Sequence, residues 1–142
     1  MKSKLFYIYS FYQFTKIEDI NSIKVLLINE FSNKFIKGTI LIANEGINAS
    51  IAGYKDELDL SITYLKKILK IKQINIKINQ CEFIPFNRMK VRLKKEIVSI
   101  GKKNFDTINC TAKEIDSDEW DLIIKDPNIK LLDVRNIYEI YI

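Results

Sequence analysis

The segment ANEGIN, residues 43–48, places two amides and a carboxylate around a glycine within five positions. Asn44, Glu45 and Asn48 offer oxygen and nitrogen atoms beside the backbone N–H groups of a turn, and Gly46 supplies the positive φ that such a turn demands. These residues could hold a polar ligand or present an acid to a substrate. The alternative interpretation is a hairpin turn built from the residue types that turns ordinarily use.

A second candidate is the cationic run NRMKVRLKKEIV, residues 87–98. The alternation of a β-strand sends Lys90, Arg92 and Lys94 to one face and the apolar residues between them to the other. A row of cations on a sheet can neutralise phosphates, because each contact releases counterions from a nucleic acid. The alternative is a charged face that water solvates.

Two tyrosines of the first apolar segment, Tyr7 and Tyr9, extend the nucleic-acid hypothesis. They share one face of the strand predicted over residues 4–14, and aromatic rings can stack on unpaired bases. The alternative is that both are ordinary aromatic residues of a β-sheet.

The third candidate is DVRNIYE, residues 133–139, where charged residues follow an apolar run. Asp133, Arg135 and Glu139 could orient a neighbouring active loop. The alternative is that these residues pair with one another and so fix a strand-to-helix turn.

The composition argues against several classes of site. Cys81 and Cys110 are the two cysteines and the sequence contains no histidine, so neither a zinc site nor a Cys–His nucleophile pair is expected from this chain alone. No apolar run reaches the roughly 20 residues of a membrane span, and the N-terminal segment lacks a signal-peptide cleavage site. We therefore expect a cytoplasmic protein. The net charge of +5 only weakly favours a nucleic-acid partner, since the excess of lysine over arginine is typical of an AT-rich coding bias.

The hydrophobic periodicity predicts an α+β fold. The periodic segments are a strand, a helix, a hairpin, a helix and two further strands, over residues 4–14, 17–35, 38–53, 54–70, 74–79 and 89–100. The first six of these strands and helices have the order βαββαβ, which is the ferredoxin-like arrangement, in which two helices cover one face of an antiparallel sheet. The second helix carries an apolar stripe at Leu58, Ile62, Leu65 and Leu69.

A second domain is predicted to follow the first. We expect the first domain over residues 1–101, a linker over 102–113 and the start of another domain over 114–142. In that last part, DSDEWDLIIKD predicts a helix with Asp or Ser at its N-cap and Trp120 facing inward, and KLLDV predicts a strand of the α/β kind. We expect this strand to lack the neighbours that would bury it.

Three segments, in this order along the chain, resemble one known family. They are KGTILIANEGINASIAG, the run from Phe86 through MKVRLKKEIV, and EWDLIIKDPNIKLLDVRNIYE. They resemble the rhodanese-domain-containing tRNA uridine hydroxylases, which form 5-hydroxyuridine at the wobble position of tRNA with molecular oxygen. The resemblance covers nearly the whole chain and departs from the family at Ala49, where a glycine is common.

The resemblance implies an acylphosphatase-like, ferredoxin-like domain followed by a truncated start of an α/β rhodanese domain. The cysteine-bearing loop of that domain would lie beyond the end of this sequence, and neither Cys81 nor Cys110 matches it. The resemblance also implies an oxidoreductase that acts on tRNA with molecular oxygen as co-substrate, and no site for a metal or an organic cofactor is visible. Lys90, Arg92 and Lys94 would hold tRNA phosphates, and the NEGIN turn would lie near the modified base or a domain interface.

Two other functions stay open at this point. One is a catalytically inactive remnant of the enzyme that binds RNA without turnover, since the first domain can fold alone. The other is an acylphosphatase-like hydrolase, for which no arginine-bearing phosphate loop is recognisable near the first strand. A fold does not by itself carry a function, so the first of these is the stronger alternative.

Overall fold

The computed structural model describes residues 5–97, 115–135 and 137–140. The chain divides into two units, Met1–Cys110 and Thr111–Ile142. The linker predicted over 102–113 lies outside the described residues, so the predicted domain boundaries stay predictions.

The described part of the first unit contains five strands and two helices around one sheet. In chain order they are β1 (Phe6–Phe14), α1 (Ile20–Ser32), β2 (Lys37–Ala43), β3 (Gly46–Gly53), α2 (Lys55–Leu69), β4 (Lys77–Cys81) and β5 (Met89–Leu93). The strand order is β4-β1-β3-β2-β5. All pairs are antiparallel except β2 with β5, which is parallel. The predicted ferredoxin-like βαββαβ fold is confirmed, with β5 as an additional edge strand.

Helix α1 is shorter than the sequence predicts because both its entry and its exit are fixed by local bonds. The carboxylate of Asp19 caps the helix, accepting from the Ser22 N–H at 3.0 Å and from the Ser22 hydroxyl at 2.5 Å. After the helix, the Lys34 ammonium pairs with Glu30 and donates to the buried Ser61 hydroxyl of α2 at 3.0 Å. These contacts set the helix at Ile20–Ser32 instead of 17–35.

One face of the sheet packs against both helices and forms the core, and we call it the helix face. Its central side chains are at most 5% exposed: Tyr9, Phe11, Ile40, Ile42, Ile47, Ala49 and Ile51. The predicted stripe of α2 is confirmed, since Leu58, Ile62, Leu65 and Leu69 are all buried there, and α1 adds Leu27 and Phe31. Burial of each large apolar side chain contributes roughly 1.5–3 kcal/mol, so this cluster carries the stability of the unit.

The second unit contains two short helices among its described residues, α3 (Ser117–Ile123) and α4 (Ile137–Ile140). The predicted N-cap is confirmed at Asp116, whose carboxylate accepts from the N–H groups of Asp118 at 3.0 Å and Glu119 at 2.8 Å. The prediction that Trp120 faces inward is wrong. Its side chain is 46% exposed, because α3 buries none of its residues.

The strand predicted over KLLDV is also wrong, since residues 130–134 form no strand. A strand of this kind needs neighbours to pair its backbone and to cover its side chains. The described residues of the second unit supply no such neighbour, and Leu132 and Val134 are 84% and 85% exposed.

Candidate nucleic-acid interface

The face of the sheet that points away from both helices carries the predicted cations, and we call it the open face. In β5, Lys90 pairs with Thr39 and Arg92 pairs with Leu41, while the residues between them pack toward the core. Alternate residues of a strand share a face at roughly 7 Å spacing, so Lys90 and Arg92 lie side by side. The alternation predicted for this segment therefore matches the structure.

Lys94 follows immediately after β5 and stays attached to the sheet. Its N–H donates to the carbonyl of Ile42 at 2.8 Å, and its side chain is exposed. The three cations thus lie along one edge of the sheet. Their role as phosphate contacts stays a prediction.

The hypothesis that Tyr9 stacks on a base is wrong, because Tyr9 is buried on the helix face, whereas stacking by Tyr7, which is half-buried on the same face, stays a prediction. Tyr9 is 1% exposed, and Tyr7 packs against the same core. The Tyr7 hydroxyl accepts a long hydrogen bond from the Gln80 amide at 3.5 Å. A base could not reach the Tyr9 ring without displacing the packing beneath the helices.

The Tyr9 hydroxyl instead joins a structural network with α2. It donates to Asp59 Oδ1 at 2.5 Å, and Lys55 Nζ donates to Asp59 Oδ2 at 2.6 Å. Burial, helped by the neighbouring Asp59 carboxylate, raises the pKa of Tyr9 to about 12. The hydrogen bonds from Lys55 and Tyr9 lower the pKa of Asp59, and its carboxylate raises the pKa of Lys55. The network joins β1 to α2. Because Tyr9 and Asp59 are 50 positions apart in the sequence, no local pattern predicts their hydrogen bond.

The turn between β2 and β3 attaches the hairpin to the loop before α1. The Asn44 carbonyl accepts from the Ile17 N–H at 2.9 Å, and the Asn44 amide donates back to the Ile17 carbonyl at 3.1 Å. The Glu45 carbonyl accepts from the Thr15 N–H at 2.9 Å. The turn therefore fixes how the chain leaves β1.

The Glu45 and Asn48 side chains bind the segment that follows β5. The Ile97 N–H donates to Glu45 Oε1 at 2.7 Å, and Asn48 Nδ2 donates to the Ile97 carbonyl at 3.2 Å. This segment therefore returns to the hairpin and borders the open face there. The polar groups of the NEGIN turn are engaged within the chain, as the turn interpretation requires, and their position near a modified base stays a prediction.

Glycine is required at position 46 for two independent reasons. Its φ is +150°, and a Cβ there would lie 2.1 Å from the Gln13 carbonyl oxygen of β1. The predicted positive φ is confirmed. Ala49, where the resembling family commonly has glycine, lies instead in a regular stretch of β3 between Phe11 and Ile40, and is 3% exposed.

Asp133 and Arg135 pair with one another in the second unit. The Arg135 guanidinium contacts both carboxylate oxygens, with Nη2 at 2.7 Å from Oδ2, and the Arg135 N–H donates to Oδ1 at 3.0 Å. These bonds lower the pKa of Asp133 and raise that of Arg135. The pairing interpretation matches the structure, and the Glu139 side chain lies outside what the structure describes.

Sequence reasoning missed the aromatic and hydroxyl groups of the open face. Tyr12 is 53% exposed, and its ring lies edge-on to that of Phe14 with centroids 5.9 Å apart. The hydroxyls of Ser10 and Ser50 are 3.0 Å apart across β1 and β3. The even-numbered positions of β1 were the available signal, but a sheet's alternation does not reveal which face the helices cover.

Two further classes of site are absent from the described parts of the chain. Residues 5–97, 115–135 and 137–140 contain no group of three or more His, Cys, Asp or Glu side chains that could hold a metal ion. No helix among them is both long and apolar enough to cross a membrane. The Cys81 thiol is free and half-buried.

Comparison with known proteins agrees with the fold and the sequence motifs. Residues 6–97 match the family model described as the UPF0176 acylphosphatase-like domain. A tRNA uridine(34) hydroxylase of Prochlorococcus marinus (strain NATL1A) is 43% identical over 135 residues, which cover 94% of this chain and 42% of that protein. The protein of the same name from the Wolbachia pipientis of Culex pipiens is 38% identical, with 95% and 48% covered.

The solved structures support the fold alone. The dark-state structure of BlrB, a BLUF protein, has a TM-score of 0.52 at 13% identity and covers 68% of this chain and 78% of that chain. The chain spans less than half the length of the two curated relatives named above. Because the family model covers well over half of its residues, this chain belongs to the UPF0176 acylphosphatase-like domain family.

Proposed function

We propose that this chain acts in the hydroxylation of the wobble uridine of tRNA to 5-hydroxyuridine. The observation that carries the proposal is the identity of 38–43% with proteins named tRNA uridine(34) hydroxylase, which extends over 135 residues. The proposed activity is an oxidoreductase reaction with tRNA as substrate and molecular oxygen as co-substrate.

In this proposal the cations of β5 hold tRNA phosphates. Lys90 and Arg92 lie on the open face, and Lys94 extends the same edge of the sheet. No acidic residue lies within β5 to neutralise them. Each phosphate contact would release counterions, so tRNA binding through this edge depends on salt.

The NEGIN turn would act by positioning. Glu45 and Asn48 hold the backbone of Ile97, and Asn44 holds the backbone of Ile17. These bonds hold the segment after β5 against the turn, at the border of the open face. A base bound beside this border would meet a rigid edge instead of a flexible loop.

RNA binding without turnover is the second candidate. It is favoured because three carboxylates that could act as catalytic acids already form hydrogen bonds within the chain. Glu45 bonds Ile97, Asp59 bonds Tyr9 and Lys55, and Asp133 bonds Arg135. Each of these carboxylates already accepts a hydrogen bond from another group of the chain. Such a chain would contribute affinity and leave the chemistry to other residues.

The two candidates are separated by incubating the purified 142-residue chain with tRNA from cells that lack 5-hydroxyuridine. Nucleoside mass spectrometry then measures the product under air and under argon. Product that forms only under air supports oxygen-dependent hydroxylation. Binding of the tRNA without product contradicts turnover by this chain and supports the second candidate.

A matched pair of variants links the product to the proposed surface. Lys90→Gln with Arg92→Gln removes two cations of the open face, whereas Lys66→Gln with Lys67→Gln removes two from α2. The first pair should reduce product at limiting tRNA and the second should not. Equal reductions would contradict tRNA contact through β5.

A further inference from the structure

The strands of the first unit place cations and no acidic residues on the open face. The residues that point to it from the strands include four cations, on the two edge strands and on β2 beside one edge: Lys37, Lys77, Lys90 and Arg92. None of the five strands contains an aspartate or a glutamate. The acids of the described unit lie in helices and loops, and Glu45, in the adjacent turn, is held by the Ile97 N–H. The face is therefore complementary to a phosphate backbone.

A polar row crosses the open face between two of these cations. The strand pairing aligns Lys77 with Ser10, Ser10 with Ser50, Ser50 with Thr39, and Thr39 with Lys90. The Ser10 and Ser50 hydroxyls already bond one another at 3.0 Å. Hydroxyls both donate and accept, so this row can bond base edges or ribose 2′-hydroxyl groups along its length.

An exposed ring lies in the next row of the same face. Tyr12 pairs with Asn48, and Asn48 pairs with Leu41, which lies beside Arg92 on β5. Tyr12 keeps 53% of its surface exposed although Phe14 contacts its edge. The Tyr12 ring is thus held beside Phe14, and about half of its surface is available to a flat partner.

Aromatic residues also lie at the opposite end of the open face. The Phe6 ring contacts Tyr54 at 5.2 Å between centroids, and Tyr54 stacks on Phe35 at 5.5 Å. The Lys37 ammonium lies 5.6 Å from the centroid of the Phe35 ring. Phe6 and Tyr12 are six residues apart on one strand, which is roughly 20 Å. Rings at both ends, with hydroxyls and cations between them, give a platform several nucleotides long.

These features together favour unpaired nucleotides over a duplex. In a duplex the bases are stacked on each other and their flat faces are inaccessible to a side chain, whereas unpaired bases can stack on an aromatic ring. We propose that the open face binds a single-stranded segment of RNA, with one base stacked on Tyr12 and phosphates held by Lys77 and Lys90. The proposal rests on the proposed tRNA function, and it specifies an unpaired loop of the tRNA as the contact.

The test compares two RNA probes with equal numbers of phosphates by fluorescence anisotropy. One is a stem-loop with about seven unpaired nucleotides and the other is a fully paired duplex. The wild-type chain should bind the stem-loop at least about tenfold more tightly than the duplex. Equal affinities for the two probes would overturn the proposal.

Substitutions then locate the contact on the open face. Tyr12→Thr should weaken stem-loop binding roughly five- to hundredfold and change duplex binding less than about twofold, whereas Tyr12→Phe keeps the ring and the affinity. Tyr64→Ala, on α2, is the matched aromatic control and should have no effect. An unchanged stem-loop affinity for folded Tyr12→Thr would overturn the proposal.

A second pair of variants does not depend on the folding of the Tyr12 substitution. Lys77→Gln on β4 and Lys90→Gln on β5 lie at opposite edges of the sheet, and each should weaken stem-loop binding severalfold, while Lys67→Gln on α2 should not. A reduction only at Lys90 would contradict a segment that crosses the sheet. Formation of 5-hydroxyuridine at the normal rate by Tyr12→Thr would overturn this inference alone. Stem-loop binding without product would support it and contradict the hydroxylation.

Discussion

On the helix face of the sheet, Ile40, Ile47 and Ile51 are fully excluded from water beneath α1 and α2. On the open face of the same sheet, Tyr12 is 53% exposed and Arg92 is exposed as well. One strand therefore serves two purposes, because successive side chains point in opposite directions. The helix face carries the core cluster, and the open face carries the exposed cations and the Tyr12 ring.

The second unit shows what happens to apolar residues without such a cover. Leu131, Leu132 and Val134 are 60–85% exposed, whereas Leu27 and Leu58 of the first unit are fully buried. Apolar composition alone thus does not create a core. Burial depends on partner elements that pair the backbone and cover the side chains.

The largest expected effect on stability comes from truncation on the helix face. Ile40→Ala should lower the free energy of unfolding by about 2–5 kcal/mol, because it removes a fully buried side chain and leaves a cavity. The matched control is Leu41→Ala, the next residue of β2 on the open face, which should cost about 1 kcal/mol or less. Chemical denaturation followed by circular dichroism measures both. Equal decreases in stability would remove the distinction between the two faces.

The second-largest effect on stability is expected at Gly46, and it tests whether every residue of the open face tolerates substitution. Gly46→Ala should cost about 1–3 kcal/mol, because φ is +150° and the new methyl group would meet the Gln13 carbonyl. Ser50→Ala, on the same strand in regular backbone, should cost less than about 1 kcal/mol. Thermal melting of both variants measures the two losses of stability. A neutral Gly46→Ala would mean that the hairpin relaxes without strain.

A smaller effect comes from the hydroxyl that Tyr9 buries on the helix face. Tyr9→Phe should cost about 1 kcal/mol near neutral pH, since it removes the hydrogen bond to Asp59. The folded pKa of Tyr9 is raised to about 12, above the ordinary value of 10.0, so its contribution is complete below the ordinary pKa and disappears as pH rises toward the folded one.

The pH dependence gives this prediction a sharp readout. The difference in melting temperature between wild type and Tyr9→Phe should shrink as pH rises from 10.0 to about 12. A difference that stays constant through this range would contradict the role assigned to the buried hydroxyl.

The smallest effect on stability belongs to the cations of the open face, where the effect on binding is large. Arg92→Gln with Lys94→Gln should change the free energy of unfolding by about 0.5 kcal/mol or less. The slope of log affinity for tRNA against log salt concentration should become shallower by roughly 0.7–0.9 for each phosphate that the variant no longer neutralises. Titrations over a series of salt concentrations measure the slope. An unchanged slope would place the phosphates elsewhere.

The fold was predictable because its periodic patterns are local. The stripe at Leu58, Ile62, Leu65 and Leu69 and the alternation in β5 each need only a few neighbouring residues to recognise. The family resemblance added the acylphosphatase-like domain, which the comparisons support. The second strand of the hairpin and the positive φ of Gly46 followed from turn chemistry.

The face on which function lies was not predictable from the same patterns. Strand β1 has aromatic residues on both sides, with Tyr7, Tyr9 and Phe11 toward the helices and Phe6, Tyr12 and Phe14 away from them. Alternation separates the two sets but does not say which set the helices cover. The Tyr9–Asp59 bond decides this, and it joins residues 50 positions apart. The inward-facing Trp120 and the KLLDV strand failed for a related reason, since both depend on partners that the local sequence does not specify.

Photo-crosslinking of bound tRNA, followed by mass spectrometry of the linked peptides, tests most directly whether the open face is the RNA-binding surface. We expect crosslinks at Tyr12 and in peptides that contain Lys77 and Lys90, with tRNA nucleotides from an unpaired loop. Crosslinks confined to the outer surfaces of α1 and α2, or to paired stems of the tRNA, would contradict this assignment.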